Sequence, residues 1–355
     1  MQGSGAAAAG AGGLSRAAEG AAGTAAAAAA GGRGQDEREL VSAWGDFTAA
    51  LFAAGPDWTD ALLELVLQNE NCYLAQSCKK TGVPETLRGC LESELQFLAE
   101  LSGYTGGDLR EALGEAGAFL PAWQVHPADF AAEYARRLAD VGHTGYGVFA
   151  RYHVFTVENA RLVPVKHPDR QRLAELPGYE PERQKILANT RALLEGRPAA
   201  NVLLYGEAGT GKSSTVKAIA NEYAAEGLRL GEVKKNQLYE IPELMDALAE
   251  NPLKFILFID DLSFTANDDN FAALKAILEG SVGGRAQNIA VYATSNRRHL
   301  IKETLSDREG DDIHHGDTMQ ELMSLSARFG LTVTFGRPGK ERFLQIVQEL
   351  AAQNG

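Results

Sequence analysis

Asn201-Val202-Leu203-Leu204-Tyr205-Gly206-Glu207-Ala208-Gly209-Thr210-Gly211-Lys212-Ser213 is an apolar run that breaks into glycines and ends on a lysine and a hydroxyl. From Gly206 the spacing is that of a phosphate-binding loop: glycine, four residues, then Gly-Lys-Ser. Glycines permit backbone angles that aim successive N–H groups inward at phosphate oxygens. Lys212 is placed to reach the β and γ phosphates of a nucleotide, and the Ser213 hydroxyl to ligate magnesium. Residues 213–225 read as a helix, whose positive N-terminal end adds to anion binding. Gly206, Glu207, Ala208, Gly209, Thr210, Gly211, Lys212, Ser213 and Ser214 are therefore the candidate nucleotide-binding set. An apolar strand running in and a helix running out are the context such a loop requires.

Working outward, Phe255-Ile256-Leu257-Phe258-Ile259-Asp260-Asp261 is an apolar run ending in two carboxylates, and Asp260 follows Lys212 by 48 positions. A strand apolar on both faces belongs in the middle of a parallel sheet. Ligands of such sheets sit beyond the C-terminal strand ends, where both acids would emerge. Asp260 fits the carboxylate on the magnesium side. Asp261 fits an acid that orients or deprotonates the attacking water. Short apolar runs at 201–205, 229–233, 255–259, 289–293 and 331–335 alternate with amphipathic segments. The expected fold is α/β: a three-layer sandwich around a five-stranded parallel sheet.

Before this lies a helical pattern. Leu87, Leu91, Leu95 and Leu98 recur at helical spacing after Pro84, and Phe130, Tyr134 and Leu138 do so after Pro127. Core packing accounts for these stripes and for Trp44, Trp58 and Trp123. Val154, Phe155, Val157, Leu162, Val163 and Val165 suggest a short extended pair bridging to the next domain. The expected organisation is an Ala/Gly-rich disordered tail over 1–36 and a mainly helical domain over 37–165. A P-loop domain over 166–336 and a C-terminal helix over 337–355 follow, the helix carrying Phe343, Ile346, Val347 and Leu350. Ala and Gly bury too little surface to offset chain entropy, which is why the tail is expected to be disordered.

The sequence resembles the AAA+ ATPases, in which a further strand lies between the two motif strands and carries a polar sensor at its tip. The strand expected at 289–293 holds that place, and Asn296 matches the sensor that contacts the γ-phosphate or the attacking water. More narrowly, the chain looks like a bacterial AAA+ family of unknown function whose members are called simply ATP-binding proteins. That resemblance covers most of residues 40–350. It rests on Leu176-Pro177-Gly178-Tyr179-Glu180, the phosphate loop, Asp260-Asp261-Leu262-Ser263-Phe264, Ala293 to Arg297, and Asp307 to His314. It implies that Gly178 and Tyr179 flank the adenine, with an ordinary core aromatic as the other reading of Tyr179. It also implies an arginine that reaches a neighbouring subunit's γ-phosphate. Arg328, in Ser326-Ala327-Arg328-Phe329-Gly330, is the first choice and Arg308 the second. Two departures stand out: Asp261 replaces the commoner glutamate, and only a short helix follows the last strand where a helical lid is usual.

Composition narrows the partners. The 355 residues carry a net charge of −13, with 45% hydrophobic and 23% charged residues. Net acidity argues against broad coating of nucleic acid or an anionic membrane. No run reaches the ~18 apolar residues of a membrane helix. Cys72, Cys78 and Cys90 cannot pair fully and lack metal-type spacing, so buried thiols in a reducing cytoplasm are expected. The acidic and histidine cluster Asp311, Asp312, His314, His315 and Asp317 reads as a loop facing a partner rather than a metal site. The function expected is an oligomeric ATPase, ring or open, that hydrolyses ATP with Mg2+ to ADP and phosphate at subunit interfaces and remodels an unknown protein or nucleic-acid partner. The alternative is a slow ATP/ADP-controlled switch or loader. A small-molecule kinase is a weaker third reading, since no acceptor pocket is evident.

Overall fold

The computed structural model describes residues 36–79, 82–107, 110, 115, 118–119, 121–262, 269–279, 286–296 and 327–354. The Ala/Gly-rich segment up to residue 35 and the cluster Asp311–Asp317 lie outside the described residues. The chain divides after Ala139 into two compact units.

The first unit contains α1 (Asp36–Ala54), α2 (Trp58–Gln68), α3 (Cys72–Ser77), α4 (Glu85–Ser102) and α5 (Phe130–Ala139). Local chemistry starts the helices. The Asp57 carboxylate caps α2 by accepting the Asp60 N–H at 3.0 Å, and the Asn71 amide oxygen caps α3 by accepting the Leu74 N–H at 2.9 Å. Phe47, Leu51, Trp58, Leu62, Leu95, Phe130 and Tyr134 form the core, with Leu91 and Leu98 half-buried against it. The stripe after Pro84 therefore faces inward as its spacing predicts. Trp44 stacks against Trp123 with ring centroids 4.8 Å apart. The cysteines differ from expectation: Cys72 and Cys90 are exposed and Cys78 is half-buried. Cys90 precedes Leu91 by one residue, about 100° around the helix, and so falls off the apolar stripe.

The second unit opens with two single-turn helices, α6 (Val141–Thr144) and α7 (Val148–Arg151). It then builds a seven-stranded sheet: β1 (Val154–Glu158), β2 (Arg161–Pro164), β3 (Val202–Gly206), β4 (Leu228–Val233), β5 (Lys254–Ile259), β6 (Ile289–Ser295) and β7 (Leu331–Phe335). The spatial order is β2-β1-β4-β5-β6-β3-β7. Every neighbouring pair is parallel except β1 with β2. The sheet thus has seven strands where five were expected. The extended pair at its head does not simply bridge to the sheet but extends it, with Val154 paired to Leu230 and Thr156 to Glu232.

Strand alternation divides the core into two layers. Phe255, Leu257 and Ile259 point to one face, where α10 (Ile241–Leu248) and α11 (Asp269–Glu279) cover them through Leu244, Leu248 and Leu274. Ile256 and Phe258 point to the other, covered by α8 (Glu180–Leu194) and α9 (Lys212–Glu222) through Ile186, Val216 and Ile219. Helices lie on both faces of the sheet, as expected. The last helix, α12 (Lys340–Asn354), departs from its sequence pattern. Of its four stripe residues only Ile346 packs against this core, while Phe343, Val347 and Leu350 are exposed.

β3 lies between β6 and β7, the two strands that come last in the chain. Its connection to β4 therefore passes over β6 and β5. A change of direction of this kind leaves a crevice beyond the C-terminal strand ends, where the ligands of such sheets collect.

Candidate functional site

Four parallel strands deliver their C-terminal ends to this crevice: β3 at Gly206, β5 at Ile259, β6 at Ser295 and β7 at Phe335. Gly206 is the pivot. Its φ is +149°, and a Cβ there would stand 1.9 Å from the Phe335 carbonyl oxygen. Only glycine lets β3 leave the sheet beside β7. Gly209 and Gly211 take φ of +75° and +81°, with open space where a Cβ would project. Gly211 is the residue before α9, so the loop runs directly into a helix N-terminus. First-turn N–H groups have no partner within a helix and point at whatever lies in front.

Lys212 is the first residue of α9 and is only 5% exposed. Its Nζ donates to the carbonyl oxygens of Gly206 at 2.9 Å and Glu207 at 2.7 Å, folding the side chain back across the loop. Burial pushes its pKa below the usual lysine value, against the opposing pull of Asp260 and Asp261. A buried ammonium held by carbonyls alone gains more from an anion than an exposed one would.

The acidic side of the site is organised by hydroxyls. Ser213 Oγ donates to Asp260 Oδ1 at 2.6 Å, and Thr294 Oγ1 donates to the same oxygen at 2.5 Å. Thr294 Oγ1 in turn accepts the Asp261 N–H at 2.9 Å. Asp261 holds a φ of +52°, uncommon outside glycine, and Asn296 Nδ2 donates to its Oδ1 at 2.8 Å. Asp260, Asp261 and Asn296 are all exposed to the crevice. One small region thus holds a lysine, a hydroxyl beside a carboxylate, and a second carboxylate beside an amide. That donor set fits a magnesium-bound polyphosphate: oxygens from Ser213 and Asp260 suit a hard cation, and Lys212 with the loop N–H groups suits the phosphates.

Gly206 through Ser214, Asp260, Asp261 and Asn296 converge. Gly178 and Tyr179 do not present an open face to the crevice. Tyr179 is 3% exposed, donates its hydroxyl to the Gly336 carbonyl at 2.6 Å, and lies 5.2 Å from the Phe335 ring. Arg342 covers the tyrosine ring at 5.1 Å, and a Cβ on Gly178 would meet Ile346 at 2.9 Å. The ring is a core aromatic tying α8, β7 and α12 together. Arg328 is half-buried just before β7, whose C-terminal end, not its start, borders the crevice. The fold does not bring Arg328 to this chain's own site. Arg308, Ser263, Phe264 and Arg297 lie outside the described residues. Thr294 is the residue the sequence reading passed over. Its signal was the β5–β6 register: Ile259 pairs with Ala293, so the next residue of β6 meets Asp260.

Residues 149–355, more than half of the chain, match the family described as Protein of unknown function (DUF815). The chain belongs to the DUF815 family. The match begins within α7 and takes in the whole sheet, the glycine loop, both aspartates and α12. The helical unit that ends at Ala139 lies outside it. No curated protein matches this DUF815 chain.

Proposed function

We propose that this DUF815 protein is an AAA+-type ATPase that binds ATP with Mg2+ at the Gly206–Ser214 loop and hydrolyses it to ADP and phosphate. The observation that carries the reading is the 2.6 Å bond from Ser213 Oγ to Asp260 Oδ1, beside a buried Lys212 on the same helix turn. Loop and acidic strand end are far apart in sequence and serve one purpose only if they share a ligand. The strand order β7-β3-β6-β5-β4 also suits this reading, since it sets the Asn296 strand between the two motif strands.

Bound magnesium ATP supplies the phosphoanhydride that is cleaved and the cation that neutralises its charge. Lys212 would exchange its two carbonyl partners for phosphate oxygens and restrain them. Ser213 and Asp260 would hold the cation from the protein side. Asp261 would accept the proton of the attacking water on its carboxylate, and Asn296, already bonded to Asp261, would orient both. Arg328, at the end of β7 away from this crevice, would act on a neighbour's site in an oligomer. The first unit would engage a protein or nucleic-acid partner, and the chain would work in the cytoplasm. No helix among the described residues is long and apolar enough to cross a membrane.

One observation favours the slower, switch-like alternative. Asp261 is already engaged by Asn296 and is a methylene shorter than glutamate, so its carboxylate stands further from any water. The test is steady-state hydrolysis by wild type, Asp261→Asn and Asp261→Glu. Asp261→Asn is expected to lose about 10²- to 10⁴-fold in turnover with nucleotide binding retained. Unchanged turnover in Asp261→Asn would remove Asp261 from the chemistry. A gain in Asp261→Glu would mark the natural enzyme as one tuned for slow turnover.

A further inference from the structure

At the other end of α9 a second concave site opens. Lys212 begins this helix and Glu222 ends it, so the two sites stand about 15 Å apart along one axis. The cavity has a volume of about 570 Å3, and its lining carries Arg151, His153, Lys166, Arg170 and Arg172 against a single carboxylate, Glu222. In a chain of net charge −13 this concentration of cations runs against the overall balance. Like charges around one cavity repel each other unless an anion answers them. Among the described residues Arg151, Arg170 and Arg172 make no salt bridge that would do so.

A helix C-terminus attracts cations, but that accounts for one such residue rather than a group drawn from two separate segments, 151–153 and 166–172. The wall is also held in place. Asn221 Nδ2 donates to the carbonyls of Asp169 and Gln171, both at 2.8 Å, pinning the loop that bears Lys166, Arg170 and Arg172 to the end of α9. With its amide nitrogen so committed, Asn221 Oδ1 accepts from His153 Nε2 at 3.0 Å, which assigns the imidazole proton to Nε2. His153 begins the chain's entry into β1, so sheet, loop and helix are fixed to one another around the cavity.

We infer that this cavity binds a compact phosphorylated small molecule, at a site separate from the glycine loop. Guanidinium groups match phosphate oxygens in planar, two-pronged fashion, and a cavity of this size suits a small ligand. A long polyanion such as nucleic acid would meet the repulsion of the whole acidic chain, whereas a small one meets only the local field.

The experiment uses the full chain carrying Lys212→Met, which weakens phosphate binding at the glycine loop by about 10- to 100-fold, so that the arginine variants report on the second cavity apart from the ATPase reading. Inorganic tripolyphosphate, titrated calorimetrically, is expected to bind once per chain. Adding Arg151→Glu and Arg170→Glu, both at exposed positions, is expected to weaken it by about tenfold for each arginine removed. Should that double replacement fail to fold, Arg172→Gln alone must still weaken binding about tenfold. Absent binding, unchanged binding in the arginine variants, or tighter binding of a 20-nucleotide single-stranded DNA than of tripolyphosphate would each overturn the inference.

Discussion

Gly206 is fixed by two constraints at once: a φ of +149°, and a neighbour's carbonyl 1.9 Å from where a Cβ would stand. The obstacle is backbone, the Phe335 carbonyl, and a main chain locked in β7 cannot rotate aside as a side chain would. Gly206→Ala is therefore expected to destabilise the second unit by more than about 4 kcal/mol, the range reserved for backbone clash and strain. Urea unfolding would measure it, and a loss below about 1 kcal/mol would mean β3 and β7 can separate at this point. Gly209 and Gly211 are a useful contrast, since they face open space and their role is conformational only. At the same scale, Thr294 shows how one hydroxyl can connect two acids, donating to Asp260 and accepting from the Asp261 N–H.

The elements were legible to different degrees. β5 and β6 announce themselves because strands buried on both faces are continuous apolar runs, and the loop after β3 does so through glycine spacing. β1 and β2 were legible as strands but not as members of the sheet, because their place depends on the pairing of Val154 with Leu230, a contact no local pattern encodes. Thr294 depended on register in the same way. Tyr179 was left between two roles because its surroundings come from α12, at the far end of the chain. There the stripe Phe343, Ile346, Val347 and Leu350 predicts burial, yet of the four Ile346 packs against the sheet's core while the others are exposed. Tyr179 makes the coupling of α8, β7 and α12 measurable. Burial pushes its phenol pKa above 10, with Arg342 opposing, so the folded state favours the neutral hydroxyl more than the unfolded chain does. That contribution is fully present below pH 10 and is lost as pH rises through the folded-state value. Tyr179→Phe, which removes the bond to Gly336, is expected to cost about 1 kcal/mol at neutral pH. The deficit should shrink in alkaline melts above pH 10. A deficit that stays constant with pH would mean the phenol is not held neutral by the fold.

For the whole molecule, what matters is where Arg328 stands. Lys212, Ser213, Asp260, Asp261 and Asn296 converge within one chain, and Arg328 sits at the opposite end of β7 from that crevice. If Arg328 serves a neighbour's site, hydrolysis per chain must rise with protein concentration. Arg328→Ala should flatten that rise while leaving nucleotide affinity within about twofold, since the side chain stabilises charge that develops during reaction. Equal rates for wild type and variant at every concentration would leave Arg328 a structural residue. All of this rests on the claim that the glycine loop and the Asp260 strand end hold one nucleotide. The most direct measurement of that claim is calorimetric titration of magnesium ATP into the full-length wild type and Lys212→Met. We predict one tightly bound ATP per wild-type chain, and an affinity of that tight site lower by about 10- to 100-fold in Lys212→Met, the loss expected for one charge-assisted contact. Wild type that binds no ATP, or binds it no better than Lys212→Met, would contradict the account.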